Sequence, residues 1–375
     1  MSSHAQTSLA ARLRARIKRE GALSFRDWMA AALYDEREGY YRRTDRARWG
    51  RISNGGDYRT SPERSPLFAA TFARHFAALH AELGAPDAWA ILETGAGAGD
   101  FARVTLETLE RDHPRVFQAT RYYIADVSED ARTRARDQLN AFSERVEFCR
   151  DDLPRGLSFA AGVIFSNELI DAFPVHRVVM RGGGLRELCV GVDEAGDFCW
   201  SEREPTTPLL AEHFARLGVA LAEGHAAEVN LAADEWIARA ASTLQRGYVL
   251  TVDYGAEAAD LYQSDARRDG TLRGFRAHEF VADPLASPGE HDLTTTINWT
   301  QIRRAGEAAG LETVSFERQD KFLLRAGLLD ELARLTSRLH GEAERLQLSL
   351  GARELILPGR MSESFQVLVQ KKRAK

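Results

Sequence analysis

The sequence predicts an α/β protein built on a Rossmann-like sheet of seven strands, with a helical N-terminal region and an inserted subdomain. Three observations carry this. An apolar strand around Ile91-Leu92 runs through Glu93 and Thr94 into Gly95-Ala96-Gly97-Ala98-Gly99 and a helix beginning near Phe101. Further continuous apolar runs recur, each ending in polar or acidic residues, as parallel strands covered on both faces do. The last run, Ser364–Gln370, alternates instead. It follows a long helical stretch with no room for another crossover, so it returns antiparallel.

Taken in order, the first segment is Ser8–Arg19, rich in Arg and Ala and without acids. An organelle presequence has that composition. Leu9, Leu13 and Ile17, followed by Phe25, Trp28 and Met29, fit the apolar faces of folded helices, which is the reading preferred here. Residues 1–85 are therefore an N-terminal helical and loop region. The sheet core occupies 86–180 and 244–375, and 181–243 is an insertion. That insertion opens as a hairpin, with Gly182-Gly183-Gly184 and Glu194-Ala195-Gly196-Asp197 as turns, and continues as helices.

The glycine loop marks a nucleotide-type cofactor site, because Gly95, Gly97 and Gly99 permit positive φ and close approach of a ligand to backbone. A dinucleotide loop reads G-x-G-x-x-G. Here the third glycine comes one residue early and Glu93 stands two before the first. An acid there repels a pyrophosphate and attracts an ammonium group, which favours S-adenosylmethionine over NAD. A tight strand-to-helix turn with no ligand is the bland reading.

The second strand, Arg121–Asp126, ends in an acid placed to accept both ribose hydroxyls; Asp126 can equally cap the helix begun by Ser128-Glu129-Asp130. The third, Val146–Asp152, places Asp151 or Asp152 to accept from an adenine amino group, or simply to form a solvated turn before Pro154. The fourth, from Gly162, ends in Asn167, Glu168 and Asp171 at the same carboxyl edge. Gly247–Gly255 gives a fifth strand and Leu311–Phe316 a sixth, after a helix over Thr300–Ala309. The long connection from Tyr254 to Asp292, carrying Arg273, His278 and Glu290, shows no periodicity and reads as an active-site cover or a surface excursion.

A net charge of -5 and a pI near 6.1 offer no global attraction to nucleic acid or an anionic membrane. Cys149, Cys189 and Cys199 lack metal-ligand spacing, so no metal is expected. They suggest a reducing, cytoplasmic compartment, with a Cys189–Cys199 pairing across the hairpin as a minor alternative. No apolar run is long enough to span a membrane.

The segments Leu33-Tyr34-Asp35, Gly39-Tyr40-Tyr41, Gly56–Glu63, Asn167–His176, Asp253-Tyr254-Gly255, Gly270–Arg273, His278, Pro288-Gly289-Glu290 and Asp292-Leu293-Thr294 run in order along the chain. In this the chain resembles the MidA family. The resemblance implies a class I methyltransferase fold, S-adenosyl-L-methionine as cofactor, and methyl transfer to a guanidinium nitrogen of a protein arginine. Mitochondrial members of that family are complex I assembly factors, so a respiratory-complex subunit is an implied substrate. The chain departs from the family at Ala96 and Ala98, where Pro and Arg are usual, at Ser65–Ala69, at Thr296, where His is common, and at Met361–Gln366. The glycines remain; the other changes fall in segments expected around the substrate.

For an arginine substrate, carboxylates must hold a guanidinium that stays protonated in ordinary surroundings. Glu168 and Asp171, three apart beside Asn167, are expected on one side of a helical turn, with helix capping as the alternative for Asp171. His176 is a candidate base, or a satisfied histidine in the apolar strand Val175–Val179. Three readings follow: a protein-arginine methyltransferase, a methyltransferase of a small molecule or natural-product peptide, and a cofactor-binding assembly chaperone without catalysis. The sequence does not give the oligomeric state.

Overall fold

A computed structural model describes residues 8–42, 65–276, 279–357 and 364–373. Among these, the residues of Arg59–Leu169, Trp236–Gly255 and Arg303–Lys375 form one compact unit, and those of Met1–Tyr58, Ile170–Glu235 and Ala256–Ile302 form a second. Gly56–Glu63, His278 and Met361–Glu363, singled out in the sequence, lie outside the described residues.

The first unit holds seven strands: β1 (Trp89–Thr94), β2 (Thr120–Ala125), β3 (Val146–Cys149), β4 (Gly162–Asn167), β5 (Gly247–Ala256), β6 (Leu311–Arg318) and β7 (Phe365–Lys372). They lie in the order β6-β7-β5-β4-β1-β2-β3. The pairs from β5 to β3 are parallel, while β7 is antiparallel to both β5 and β6. The expected seven strands are all present, including the antiparallel return. Strand order reverses at β1 and β4, and in open α/β sheets ligands bind outside the carboxyl ends at such a point.

β1 is buried along its whole length and β4 along all but its last residue, which explains their unbroken apolar runs. Phe165 of β4 stacks on Phe101 at 4.4 Å, and Phe72 lies 5.0 Å from Phe165. Phe72 comes from the helix Pro66–Glu82, whose start is set by Ser65 accepting from the Leu67 N–H at 3.3 Å and by Pro66 in the first turn. This apolar cluster fixes the floor from which the strand ends project.

In the second unit, Leu9–Glu20 and Phe25–Tyr34 are helices. Their buried Leu9, Leu13, Ile17, Phe25, Trp28 and Met29 share a core with Val175, Val190, Leu285 and Leu293, as the folded-helix reading requires. A meander of His176–Arg181, Gly184–Val192 and Phe198–Arg203 follows, its first turn made by Gly182 and Gly183 at φ 57° and 75°. The strand register sets Cys189 opposite Ser201 and Cys199 opposite Gly191, so the two thiols are offset and free. That rules out the hairpin disulfide.

The connection from Tyr254 to Asp292 is not irregular. It contains a helix, Ala258–Tyr262, and the strands Arg273–Arg276 and Glu279–Val281, which pair with Asp292–Thr294 in a three-stranded antiparallel sheet. Strands of three or four residues are too short for alternation to show. Among the described residues no helix is long and apolar enough to cross a membrane.

Candidate functional site

The site is built in the first unit, where β1 ends. Gly95, Gly97 and Gly99 all take left-handed backbone, at φ 67°, 56° and 86°. Each serves differently. A Cβ at Gly95 would lie 3.0 Å from Leu169 Cδ1, and one at Gly99 3.0 Å from Ala135 Cβ, on the helix Glu129–Gln138. The early third glycine therefore still provides close helix packing. A Cβ at Gly97 would meet nothing within 4 Å. That open space above a glycine is a cradle that a ligand can enter and a side chain would fill. The helix Asp100–Asp112 begins just beyond, and its N-cap Gly99 supplies no side-chain bond, leaving its first N–H groups for a ligand.

Asp126, at the end of β2, holds the loop. Its Oδ2 accepts from the Gly97 N–H at 2.8 Å and its Oδ1 from the Ser128 N–H at 2.7 Å. The helix cap itself is Ser128, which accepts from the Ala131 N–H, so Asp126 is not the N-cap. Arg132, almost fully buried, donates to the Asp126 carbonyl and to Glu129, a support that depends on tertiary placement and leaves no linear pattern.

Glu93 is buried, and its Oε2 accepts from the Tyr122 hydroxyl at 2.7 Å. Burial, reinforced by the nearby charges of Asp100 and Asp126, pushes its carboxyl up to about 8, against the opposing effect of the Tyr122 bond. The carboxyl is therefore mostly neutral at pH 7. A cation brought to it would favour the charged form. β3 stops at Cys149, so Asp151 and Asp152 lie in the bend beyond it and not in the strand. Asp151 is exposed, whereas Asp152 accepts from its neighbour's N–H at 2.9 Å and faces Arg239 at 3.9 Å.

At the end of β4, Asn167 Nδ2 donates to Glu168 Oε1 at 3.1 Å. Asn167 Oδ1 is buried and has no hydrogen-bond partner among the described residues. Glu168 has φ 51°, a left-handed conformation that is costly for a residue with a Cβ. Its N–H is fixed to the Val252 carbonyl at 2.9 Å. Val252 registers with Asn167 as the last pair between β4 and β5, so Asp253 follows the point where that pairing ends, while β5 itself continues to Ala256. Asp253 is fully buried and accepts from the Tyr254 N–H at 2.9 Å. The sequence singles out Asp253-Tyr254-Gly255 only as a segment of the family resemblance and assigns Asp253 no role.

The left-handed Glu168 breaks the helical turn expected over 167–171; only the 3-10 turn Ile170–Ala172 forms. Asp171 belongs to the second unit, where its Oδ2 accepts from Thr294 Oγ1 at 2.7 Å and its carbonyl from the Thr295 N–H at 3.0 Å. His176, in the same unit, has Nδ1 2.8 Å from Oε1 of the buried Glu187, which also accepts from the Thr206 N–H at 2.6 Å. Burial raises the Glu187 carboxyl, yet these bonds outweigh it and leave the group low. His176 thus has a structural partner of its own. In the first unit, Glu93 and the glycines, Asp126, and Asn167 with Glu168 lie at or just beyond the carboxyl ends of β1, β2 and β4; Asp151 and Asp152 lie in the bend after β3, Asp152 paired with Arg239.

A family model for S-adenosyl-L-methionine-dependent methyltransferases matches residues 71–317. The chain is 28% identical over 400 residues to the mitochondrial protein arginine methyltransferase NDUFAF7 of Mus musculus, covering 97% of this chain and 84% of that protein. To the Homo sapiens protein of the same name it is 27% identical over 388 residues, covering 93% and 80%. A crystal structure of a Burkholderia thailandensis protein bound to S-adenosyl-homocysteine is 31% identical with a TM-score of 0.84, covering 98% of this chain and 92% of that one.

Proposed function

The chain belongs to the family of S-adenosyl-L-methionine-dependent methyltransferases, and from that premise we propose that it methylates a guanidinium nitrogen of a protein arginine. The observation that carries the arginine reading is the pairing of Asn167 and Glu168. The Asn167 side chain directs one N–H of its amide at Glu168, while its buried Oδ1 has no partner among the described residues. Asn167 Oδ1 and the Glu168 carboxylate are thus acceptors at this edge. A guanidinium has donors only, so the two are complementary.

When bound, the cofactor supplies a methyl group activated for in-line displacement. The residues of the chain have the remaining tasks. Asp126 holds Gly97 and offers lone pairs to the ribose, while the left-handed backbone at Glu168 fixes where its carboxylate starts. Glu168 localises the guanidinium charge and takes the proton that the methylated nitrogen gives up. Asn167 Oδ1 orients the second N–H edge. The names of the relatives support a protein substrate, and a respiratory-complex subunit is the member of that class to which the MidA resemblance points.

Glu168→Gln tests the assignment. The amide keeps the shape but turns one acceptor into a donor facing a donor-only substrate, so methyl transfer should fall about 100-fold or more while S-adenosylmethionine still binds. Full activity of the variant would remove Glu168 from the chemistry and favour a small-molecule substrate.

A further inference from the structure

The helix Glu342–Ile356 is apolar on two opposite faces. One face, Leu348, Ala352 and Leu355, is buried in the core of the first unit. At about 100° per residue, Glu342, Leu346, Leu350 and Arg353 fall on the other side, within an arc of about 80°. Leu346 is 61% exposed and Leu350 46%, and Leu357, just past the helix, is 40% exposed. Exposed Leu324 and Leu329 stand on Gln319–Arg325 and Leu328–Thr336, the two helices packed against this one. Large exposed leucines grouped in this way mark an interaction surface.

We propose that this face is the interface with a second copy of the chain, the two Glu342–Ile356 helices crossing antiparallel about a two-fold axis at the level of Leu348. Charge selects the occupant and its direction. Glu342 and Arg353 are exposed on the leucine stripe, and neither has an ion-pair partner among the described residues. With Leu346 set against the partner's Leu350, Glu342 lies about 9 Å and Arg353 about 7.5 Å from the axis, on opposite sides, at a rise of about 1.5 Å per residue. Reversing one helix brings each Glu342 to the height of the partner's Arg353, twice over. A parallel pair would instead put Glu342 beside its own copy. A closed two-fold pair repeats the same contacts on both sides, which a self-complementary stripe satisfies.

Sedimentation of the full chain at concentrations up to about 100 μM tests this. The wild type should dimerise. Leu346→Glu with Leu350→Glu should be monomeric, with cofactor binding and thermal unfolding kept as checks of the fold. Glu342→Lys and Arg353→Glu should each weaken the dimer about tenfold, and the double reversal should restore it, a readout independent of whether the leucine variant folds. A wild type monomeric throughout, whether or not it then binds lipid vesicles or another protein, overturns the proposal. So does a leucine variant that stays dimeric, or a double reversal that restores nothing.

Discussion

Burying a carboxyl group as fully as that of Glu93 costs stability unless the group stays neutral, and that gives this residue a pH signature. In the unfolded chain a glutamate titrates at about 4.3. In the folded protein Glu93 holds its proton up to about 8. Between these values the folded state binds one more proton than the unfolded state, so this group's contribution to stability falls as pH rises, by about 1.4 kcal/mol per unit, and levels off above the folded value. Glu93→Gln keeps an acceptor for Tyr122 and removes the titration. Its stability relative to wild type, measured in denaturant, should therefore rise between pH 5 and pH 8; an unchanged difference would mean that Glu93 is ionised. If the cofactor's ammonium group docks at Glu93, binding at pH 7 should also release a proton, seen as a heat that varies with the buffer.

Asp126 carries two duties, and one variant separates them. Loss of its carboxylate releases the N–H groups of Gly97 and Ser128. Asp126→Ala should thus cost about 1–3 kcal/mol of stability. If the ribose hydroxyls also bind there, affinity for S-adenosylmethionine should drop by a further 1.5 to 3 kcal/mol, roughly, the range for a bond to a charged group. Calorimetry beside thermal unfolding tells these apart: destabilisation with undiminished affinity would assign Asp126 to the loop alone.

At the scale of elements, the glycine loop works because three residues without side chains stand in three different surroundings, and only Gly97 faces open space. Gly97→Val should abolish cofactor binding while the core around Phe72, Phe101 and Phe165 holds the rest of the fold. Retained binding would place the ligand elsewhere. The sheet was legible in sequence because β1, β4 and β5 are buried for most of their length, which leaves unbroken apolar runs; β7, read as alternating, is instead buried continuously over Val367–Gln370 because it lies between β5 and β6. Glu93 and Asp126 stand out in the sequence as candidates because each lies within one residue of a strand end. Other features depend on register or on backbone twist, which a linear pattern does not record. Tyr122 meets Glu93 only once β1 and β2 pair. The positive φ of Glu168 runs against the preference of its residue type. The small sheet at Arg273–Thr294 has strands too short to show a period.

For the whole molecule, the chain leaves the sheet unit after the carboxyl ends of β4 and β5 and comes back each time. The first departure therefore follows the end of β4, where Asn167 and Glu168 lie. Asp171 and His176 go with the second unit and find partners in Thr294 and Glu187. The chemistry assigned to the sheet unit accordingly rests on Glu168 and Asn167. The acidic balance of the chain, -5 overall, suits a cationic arginine better than a nucleic acid. The central claim is that this cation is the methyl acceptor. The most direct measurement is to incubate the purified chain with isotopically labelled S-adenosylmethionine and lysate of its own cell, then locate the label by mass spectrometry. Label on an arginine side chain of a protein, lost with Glu168→Gln, is the predicted result. Label confined to small molecules, or to a residue other than arginine, would contradict it.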